Sequence, residues 1–484
     1  MSSLIDRRYT IHVILTLSSL ALLVMYSETM VMPSLPDIQK DFDVSTSELA
    51  WVLTAYMLSA VAFTPLIAKF SDIIGRKRTL TILVPIYSTA LALNSITHNY
   101  TLFIILRAVQ GASLSIFPIA FSMIVEQLPR EEVPRAQGII SAMFSIGAVI
   151  GMVLGAYIAD IYSWREVFAT AAPFGYFLTI IINMMLREYR PKVDRVSIDY
   201  LGAFLIGSGV AMLCYAFERA PHVGWSSLEV ITAITSSIML LLLFTYWELT
   251  VPTPLINMTL LADRNVFAGN VIGMIVGFSM FGLFQAAIIL FRLPKPVGQE
   301  LTVLETGLYM IPASISSLVS AIIFATLIRK LGVKYSLILS LITAVPLSSS
   351  YLLANLSDLT HLVIATSLTA CAVTMSLVPI INIIVFTVGT QELGVMTGMN
   401  MIFRFIGGSL GPAVVGSLQD TFKTSITKII QTSPQEYIPI VFSVPSHLVL
   451  KIYSIIAIIL LLISIPISLR TYEVYKVSIS KMRS

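Results

Sequence analysis

Residues 64–80, TPLIAKFSDIIGRKRTL, constrain the fold of this chain more than any other stretch. An apolar run gives way to Asp72, Gly75 and three successive cations, and a second apolar run begins at Thr79. Gly75 permits a tight turn because a residue without a Cβ adopts positive φ at little cost. A loop this short and this basic predicts two antiparallel helices that leave a membrane on its cytosolic side. The alternative is an ordinary cytosolic turn that only sets the orientation.

The composition describes a polytopic membrane protein rather than a soluble domain. Hydrophobic residues form 56% of the 484 residues and charged residues 12%, about half the share in soluble domains. The basic residues are dispersed among loops, so the net charge of +4 does not indicate nucleic acid as a partner. Cys214 and Cys371 lie within apolar runs, which predicts neither a disulfide framework nor a metal site. The chain lacks a Gly-Lys-Ser/Thr motif, so we expect no ATP-driven mechanism and no cofactor.

Fourteen apolar runs are long enough to cross a bilayer as helices. Their approximate limits are 11–34, 48–69, 79–97, 101–126, 137–160, 165–187, 199–219, 226–247, 265–290, 305–327, 335–354, 361–386, 394–418 and 448–470. With Arg7 and Arg8 in the cytosol, about 20 of the 30 Lys and Arg residues lie on the cytosolic side and about 8 lie outside. The pattern predicts a multi-pass protein of the cell membrane with both termini in the cytosol.

Two sets of glycines recur with nearly the same spacing, which indicates an internal repeat. The first set is Gly138, Gly147, Gly151 and Gly155, and the second is Gly398, Gly407, Gly411 and Gly416. The second set lies 260 residues after the first (398 − 138). In each set the central glycines are four residues apart, so they form a bare stripe on one helix face that lets another helix approach closely.

Two further matches agree with this offset. The segment 325–334 is a degenerate copy of the opening loop with Gly332 in the place of Gly75, and Pro379 repeats Pro118. A six-span bundle needs roughly 190 residues, so the larger offset leaves room for two extra spans at 199–219 and 226–247. We therefore predict an all-α membrane protein of two six-helix bundles, related by a pseudo-twofold repeat, with two extra central spans.

The corresponding domains are predicted as four segments. They are an N-terminal six-span bundle at 1–190, a linker with two extra spans at 191–260, a C-terminal six-span bundle at 261–470 and a cytosolic tail at 471–484. The outer segment 419–447 is the longest one between predicted spans, and a short surface helix is expected there.

The opening loop resembles the signature that joins the second and third spans in the major facilitator superfamily. The matching residues are Ala68, Asp72, Gly75, Arg76 and Lys77. In that family the loop pairs with an acid at the cytosolic end of the fourth span, a position that Glu126 resembles. The resemblance implies a cytosolic lock made of Asp72, Gly75, Arg76, Lys77 and Glu126.

The fifth-span glycines resemble the antiporter motif of the drug:proton exporters in this superfamily. Met152 stands where that motif has Pro, and Ala156 where it ends in Gly. The second-half copy keeps the Gly-Pro pair as Gly411-Pro412. The resemblance implies a fourteen-span drug:proton antiporter, while plain small-residue packing explains the same stripe without one.

Two charged residues inside spans are predicted to couple transport to protons. Arg107, in RAVQG, resembles the fourth-span RxxQG motif, and an Arg within a bilayer needs a wet cavity or a partner. Glu28 lies beside Ser27, which occupies the acidic position of the first-span DxTxxxxxLP signature. A carboxyl group in apolar surroundings holds a proton more firmly than one in water. The alternatives are an Arg that reaches an interface and an acid near the outer surface.

Other polar residues in spans are predicted to line the cavity, although each is also compatible with a helix-packing hydrogen bond. They are Tyr26, Gln110, Asn183, Gln285, Asn382 and Arg404, the last within a stretch that resembles the RQIGG motif of the fourteen-span branch. Residues 407–411 match the G-x-S-x-G pattern of serine hydrolases, but they lie in a predicted helix rather than after a strand.

The functional prediction is proton-coupled export of hydrophobic or amphipathic small molecules by alternating access, in a monomer. Uptake or exchange of a small metabolite on the same fold stays open, and an intramembrane hydrolase is the alternative from another class. The predicted partners are a small-molecule substrate, protons and the lipid bilayer.

Overall fold

A computed structural model describes residues 7–129, 132–188, 198–252, 254–256, 258–387, 393–433 and 436–474. The start of the predicted linker, 191–197, and most of the predicted tail 471–484 lie outside these ranges. We call the helices before residue 190 the first half, those after residue 257 the second half, and the two between them the accessory pair.

The first half contains nine helices in the described ranges, with two short 3₁₀ turns at Met32–Ser34 and Ser113–Ser115. They are α1 (Arg7–Thr29), α2 (Leu35–Phe42), α3 (Thr46–Leu49), α4 (Trp51–Ile74), α5 (Arg76–Ile96), α6 (Tyr100–Ala112), α7 (Ile116–Gln127), α8 (Val133–Ile161) and α9 (Trp164–Met185).

The accessory pair is α10 (Tyr200–Val223) and α11 (Leu228–Thr250). The second half, as far as it is described, follows with α12 (Met258–Leu261), α13 (Arg264–Arg292), α14 (Val303–Tyr309), α15 (Ile311–Leu331), α16 (Val333–Ser348), α17 (Ser350–Leu353), α18 (Leu359–Thr387), α19 (Leu393–Thr421), β1 (Lys423–Ser433), β2 (Glu436–Pro445) and α20 (Leu448–Leu469).

Thirteen helical segments in the described part of the chain are long and apolar enough to cross a membrane. The remaining predicted span, 137–160, falls on the 29-residue α8, whose fully described apolar part is Ile146–Ile161. The all-α polytopic architecture predicted from the apolar runs is confirmed.

The two halves repeat the same turn after corresponding helices. Gly75 ends α4 with φ of 103°, and Gly332 ends α15 with φ of 94°, values that L side chains rarely adopt. We call the end of the bundle that carries these two turns the loop face. The opposite end carries β1 and β2, and we call it the hairpin face.

The glycine stripes bring helix backbones into direct contact. A Cβ on Gly147 or Gly151 would strike the backbone of α1, and one on Gly155 would strike Met30 just beyond α1. In the second half, Gly407 and Gly411 of α19 meet the backbone of α13 in the same manner. The surroundings of Gly138 lie outside the described residues, and a Cβ on Gly398 would meet no described atom within 4 Å. The predicted close packing is therefore confirmed for the central glycines of both stripes.

The accessory pair packs on both halves through α10. Gly207 of α10 faces Ala62 of α4, and the Cys214 thiol lies 3.8 Å from the carbonyl oxygen of Ser409 in α19. The two accessory helices are joined by a hydrogen bond that the Ser237 hydroxyl donates to the Gly209 carbonyl at 2.7 Å. This arrangement places α10 alongside the seam between the two halves.

The segment 419–447 corrects one prediction. It contains an antiparallel hairpin in which Thr424 pairs with Val444, not a short surface helix. Its strands are rich in Ile, Val and Thr, which favour extended backbone. Pro439 cannot continue a helix, and in a two-stranded sheet its missing N–H is tolerated at an open edge.

Replacing Gly151 by Ala is expected to lower stability. The new Cβ would lie closer than 3.0 Å to Thr29 and to the Tyr26 backbone, and overpacking of this kind costs about 1–3 kcal/mol. Thermal unfolding of the detergent-solubilised protein measures the effect. Gly398→Ala is the matched control because its Cβ enters open space. Equal midpoints for both variants would contradict the packing role of Gly151.

Candidate functional site

The loop face holds a compact ion-pair cluster around Arg76. This side chain donates to Asp72 one helical turn earlier, with Nη2 and Oδ1 3.1 Å apart, and forms a second ion pair with Glu126. The three residues come from the end of α4, the start of α5 and the end of α7. The structure thus brings together Asp72, Arg76 and Glu126 of the predicted lock.

Partial burial of this cluster changes the pKa of its acid Glu126. Burial raises the pKa of the Glu126 carboxyl, while the neighbouring Arg76 acts in the opposite direction. As the pH falls, the Arg76–Glu126 ion pair is therefore lost at a higher pH than an exposed pair would be. Lys77 is partly buried and donates to the Asn183 carbonyl at 2.8 Å, so it tethers α5 to α9 rather than joining the pair.

Two acids that sequence reasoning missed bind the backbone just after the glycine turns at the loop face. Glu188 follows α9 and accepts the Arg78 backbone N–H at 2.9 Å. Glu473 follows α20 and accepts the N–H groups of Val333 and Lys334 at 3.2 and 3.0 Å. Each carboxylate therefore caps the helix that starts at a glycine turn, where the helix dipole favours negative charge. The sequence carries one signal for these two acids, because each lies three or four residues after the last helix of its half.

Glu28 occupies the centre of the predicted coupling site. It lies one residue before the end of α1 and is only 4% exposed. Its electrostatic neighbours are Arg404 of α19 and Arg107 of α6, so cations from both halves act on one acid. The structure brings together the predicted pair Glu28 and Arg107 and adds Arg404, which was predicted only to line the cavity.

Arg107 is fully buried and held from three sides. Its Nε donates to the Val52 carbonyl at 3.1 Å, its Nη1 donates to Gln110 Oε1 at 2.9 Å, and its guanidinium lies 4.5 Å from the centre of the Tyr56 ring. The remaining Nη2, the Gln110 amide nitrogen and the Tyr56 hydroxyl have no partner in the described part of the chain. These polar atoms leave unused hydrogen-bonding capacity around Arg107.

The other predicted cavity residues fall into two groups. Tyr26 and Gln285 are buried, and both amide atoms of Gln285 lack a partner among the described residues. Asn382 is partly buried and donates to the Val378 carbonyl of its own helix at 2.8 Å. Asn183 is a correction to the predicted set. Its side chain is exposed and accepts from Thr81 near the loop face, so it does not face the interior.

The two halves are joined at the hairpin face by polar contacts. Arg292 at the end of α13 donates to Asp37 of α2 at 2.5 Å. The Leu304 backbone N–H donates to Asp160 of α8 at 3.3 Å. Between the two ends of the bundle, the Thr54 hydroxyl of α4 donates to the Ser409 carbonyl of α19 at 3.1 Å. These contacts hold the hairpin face closed.

Asp420 is the most connected residue of this closure, and we call its contacts the Asp420 latch. Its carboxylate accepts the Ser47 N–H at 2.7 Å and the Thr46 hydroxyl at 3.1 Å, both across the seam. Lys423 pairs with it at 2.9 Å, and His222 of the accessory pair lies 3.8 Å away. The latch therefore joins both halves and α10 at one buried acid.

The arrangement supports transport rather than covalent chemistry. Ser409, the central residue of the hydrolase-like pattern, lies inside α19, and its hydroxyl donates to the Ile406 carbonyl of the same helix. The polar groups instead line the contact between two helix bundles, and ion pairs are concentrated at the two ends.

Comparison with known proteins agrees with this architecture. The family model described as Major Facilitator Superfamily matches residues 17–412. Multidrug transporter protein MdtP of Bacillus subtilis (strain 168) is 28% identical over 398 residues, which cover 81% of this chain and 72% of that protein. Multidrug resistance protein Stp of Mycobacterium tuberculosis (strain CDC 1551 / Oshkosh) is 24% identical over 389 residues, which cover 80% and 71% respectively.

A solved structure shows the same fold. It is a bacterial homolog to the human lysosomal transporter Spinster, in an inward-facing and unoccupied conformation, with a TM-score of 0.62 and 17% identity. The match covers 86% of this chain and 84% of that chain. Because the family model covers most of the chain and the fold agrees, the protein belongs to the major facilitator superfamily of membrane transporters and is not an enzyme.

Proposed function

We propose that this transporter exports hydrophobic or amphipathic small molecules in exchange for protons. The observation that carries the proposal is the position of Glu28, a buried acid of the first half with cations of both halves as electrostatic neighbours. An acid in such a position is costly as a lone charge, so it is either protonated or paired. A change in the distance between the halves alters which of these two forms is favoured.

This dependence supplies a coupling mechanism. When Arg404 and Arg107 lie near Glu28, their charges favour the carboxylate and release of its proton. When the second half moves and takes Arg404 away, burial dominates and Glu28 binds a proton from the side that is then open. One residue thus exchanges a proton as the cavity changes sides, which is the requirement for alternating access.

The two ends of the bundle provide the matching gates. In this conformation the Asp420 latch and the Arg292–Asp37 pair close the hairpin face. We assign the hairpin face to the outside and the loop face, with both termini, to the cytosol, because the cationic turns follow the positive-inside rule. The Asp72–Arg76–Glu126 cluster restrains α4 and α5 when the hairpin face opens.

Two features support the choice of substrate. The relatives MdtP and Stp carry multidrug names, and the bundle interior combines apolar side chains with a few polar atoms that lack a partner among the described residues. Such a lining suits amphipathic molecules. We further propose the domain limits 1–190, 191–260, 261–470 and 471–484, residence in the cell membrane and function as a monomer.

Glu28→Gln is expected to retain substrate binding and to lose proton-driven exchange, because an amide has the shape of the protonated acid but cannot release the proton. The measurement is proton release when ethidium is added to reconstituted protein, beside ethidium binding followed by fluorescence. Glu166→Gln, at an exposed acid of α9, is the control. Equal proton release from wild type and Glu28→Gln would exclude Glu28 as the coupling residue.

Asp72→Asn is expected to slow ethidium efflux by at least about tenfold, equivalent to roughly 1.4 kcal/mol, while insertion into the membrane stays normal. The change removes one carboxylate from the Arg76 cluster without a change of size. Asp43→Asn serves as the control because Asp43 is exposed at φ of 53°, a conformation that Asn tolerates. Efflux at the wild-type rate in Asp72→Asn would contradict the lock.

Asp420→Asn is expected to open the hairpin face, because it removes the charge that the Ser47 N–H and Lys423 share. The open population should rise about fivefold or more, for a coupling of about 1 kcal/mol. Distances between spin labels at Tyr162 and Leu353 report it in a background without the native cysteines. Asp358→Asn is the control, since the bonds of that acid to described residues stay within its own turn. An unchanged distance distribution would contradict the role of the Asp420 latch in closing the hairpin face.

A further inference from the structure

The accessory pair contains a second buried acidic site, far from Glu28 along the chain. Asp199 precedes α10 and is 5% exposed, and Glu248 lies near the end of α11 and is 3% exposed. Both carboxyl groups converge on Gly202. A Cβ at that glycine would lie closer than 3.0 Å to Asp199 Oδ2 and to Glu248 Oε1. The absence of a side chain at Gly202 therefore allows the two oxygens to meet.

The other oxygen of each carboxyl group is satisfied by donors. Asp199 Oδ1 accepts the Gly202 N–H at 2.8 Å and the Trp247 indole N–H at 2.8 Å. Glu248 Oε2 accepts the Ile256 N–H at 2.8 Å. Asp199 Oδ2 and Glu248 Oε1, by contrast, are buried and have no donor in the described part of the chain. Two acceptors that face each other without a donor require a hydrogen atom between them.

The charge balance points to one proton. Within the described part of the chain, the charged group that faces the pair is Lys69 of α4, whose ammonium donates to the Pro254 carbonyl at 3.3 Å and acts electrostatically on both acids. The elements α10, α11 and 254–256 contribute backbone N–H groups and the Trp247 indole. Two carboxylates beside one ammonium leave one net negative charge in a buried cluster, and a single proton removes it.

We propose that Asp199 and Glu248 bind one proton, shared between Oδ2 and Oε1, as a second proton site of this transporter. The proton joins the start of α10 to the end of α11 at the loop face, beside α4. Loss of the proton places two carboxylates against each other, and their repulsion loosens this end of the accessory pair. The site is independent of Glu28 and stands whether or not Glu28 couples transport.

The test is infrared spectroscopy of the full-length protein in lipid nanodiscs, on a Glu28→Gln background that removes the central acid. A protonated-carboxyl carbonyl band is expected at neutral pH. Both Glu248→Gln and Asp199→Asn should abolish it, because the new amide donates to the remaining carboxylate. The control Glu218→Gln, at another buried acid of α10, should retain it. A band unchanged in both variants would overturn the proposal, and loss in only one would overturn the shared arrangement.

Tryptophan emission gives a measurement that needs no change at either acid. The Trp247 indole donates to Asp199, so loss of the proton should shift its emission as the pH rises. Trp247→Phe should abolish that shift, and its midpoint in the parent protein should equal the midpoint of the carbonyl band. An emission that does not depend on pH while the band titrates would exclude this pair as the source of the band.

Discussion

Close backbone contact between helices is the constraint on which the rest of this structure depends. Lipid tails are as apolar as the surfaces of the helices, so the hydrophobic effect does little to bring helices together. Packing contacts must therefore hold them. Here α8 meets α1 through Gly151, and α19 meets α13 through Gly277, which lies against the Arg404 carbonyl. Glu28 lies between the α1 residues that touch Gly151. The glycine contacts therefore set the positions of both the central acid and its partner cation.

The sequence predicted well the features that depend on short stretches of neighbouring residues. Apolar runs define spans because a bilayer requires about 20 such residues, and the glycine turn at Gly75 appears again at Gly332. The Arg76–Glu126 ion pair was predictable only through resemblance to a family. Nothing local in the sequence relates residues fifty positions apart, so their contact depends on how α5 and α7 pack.

The features that were missed involve partners distant in sequence. Glu248 and Asp199 are separated by two spans, and each one alone looks like an acid near a membrane surface. Asn183 was misplaced because a polar residue in an apolar run does not reveal which helix face it occupies. The hairpin at Lys423–Pro445 replaces the predicted surface helix, because a polar and proline-containing outer segment carries a weak secondary-structure signal. The functional assignment of each residue therefore needed the packing as well as the pattern.

Glu188 and Glu473 have a mechanical consequence. Each ties the segment after the last helix of its half back to the turn that follows Gly75 or Gly332. The last described segment of each half is thereby bound to the start of its third span, at α5 in the first half and α16 in the second. We expect these bonds to limit sliding between the spans that they join, so that the spans of one half move together.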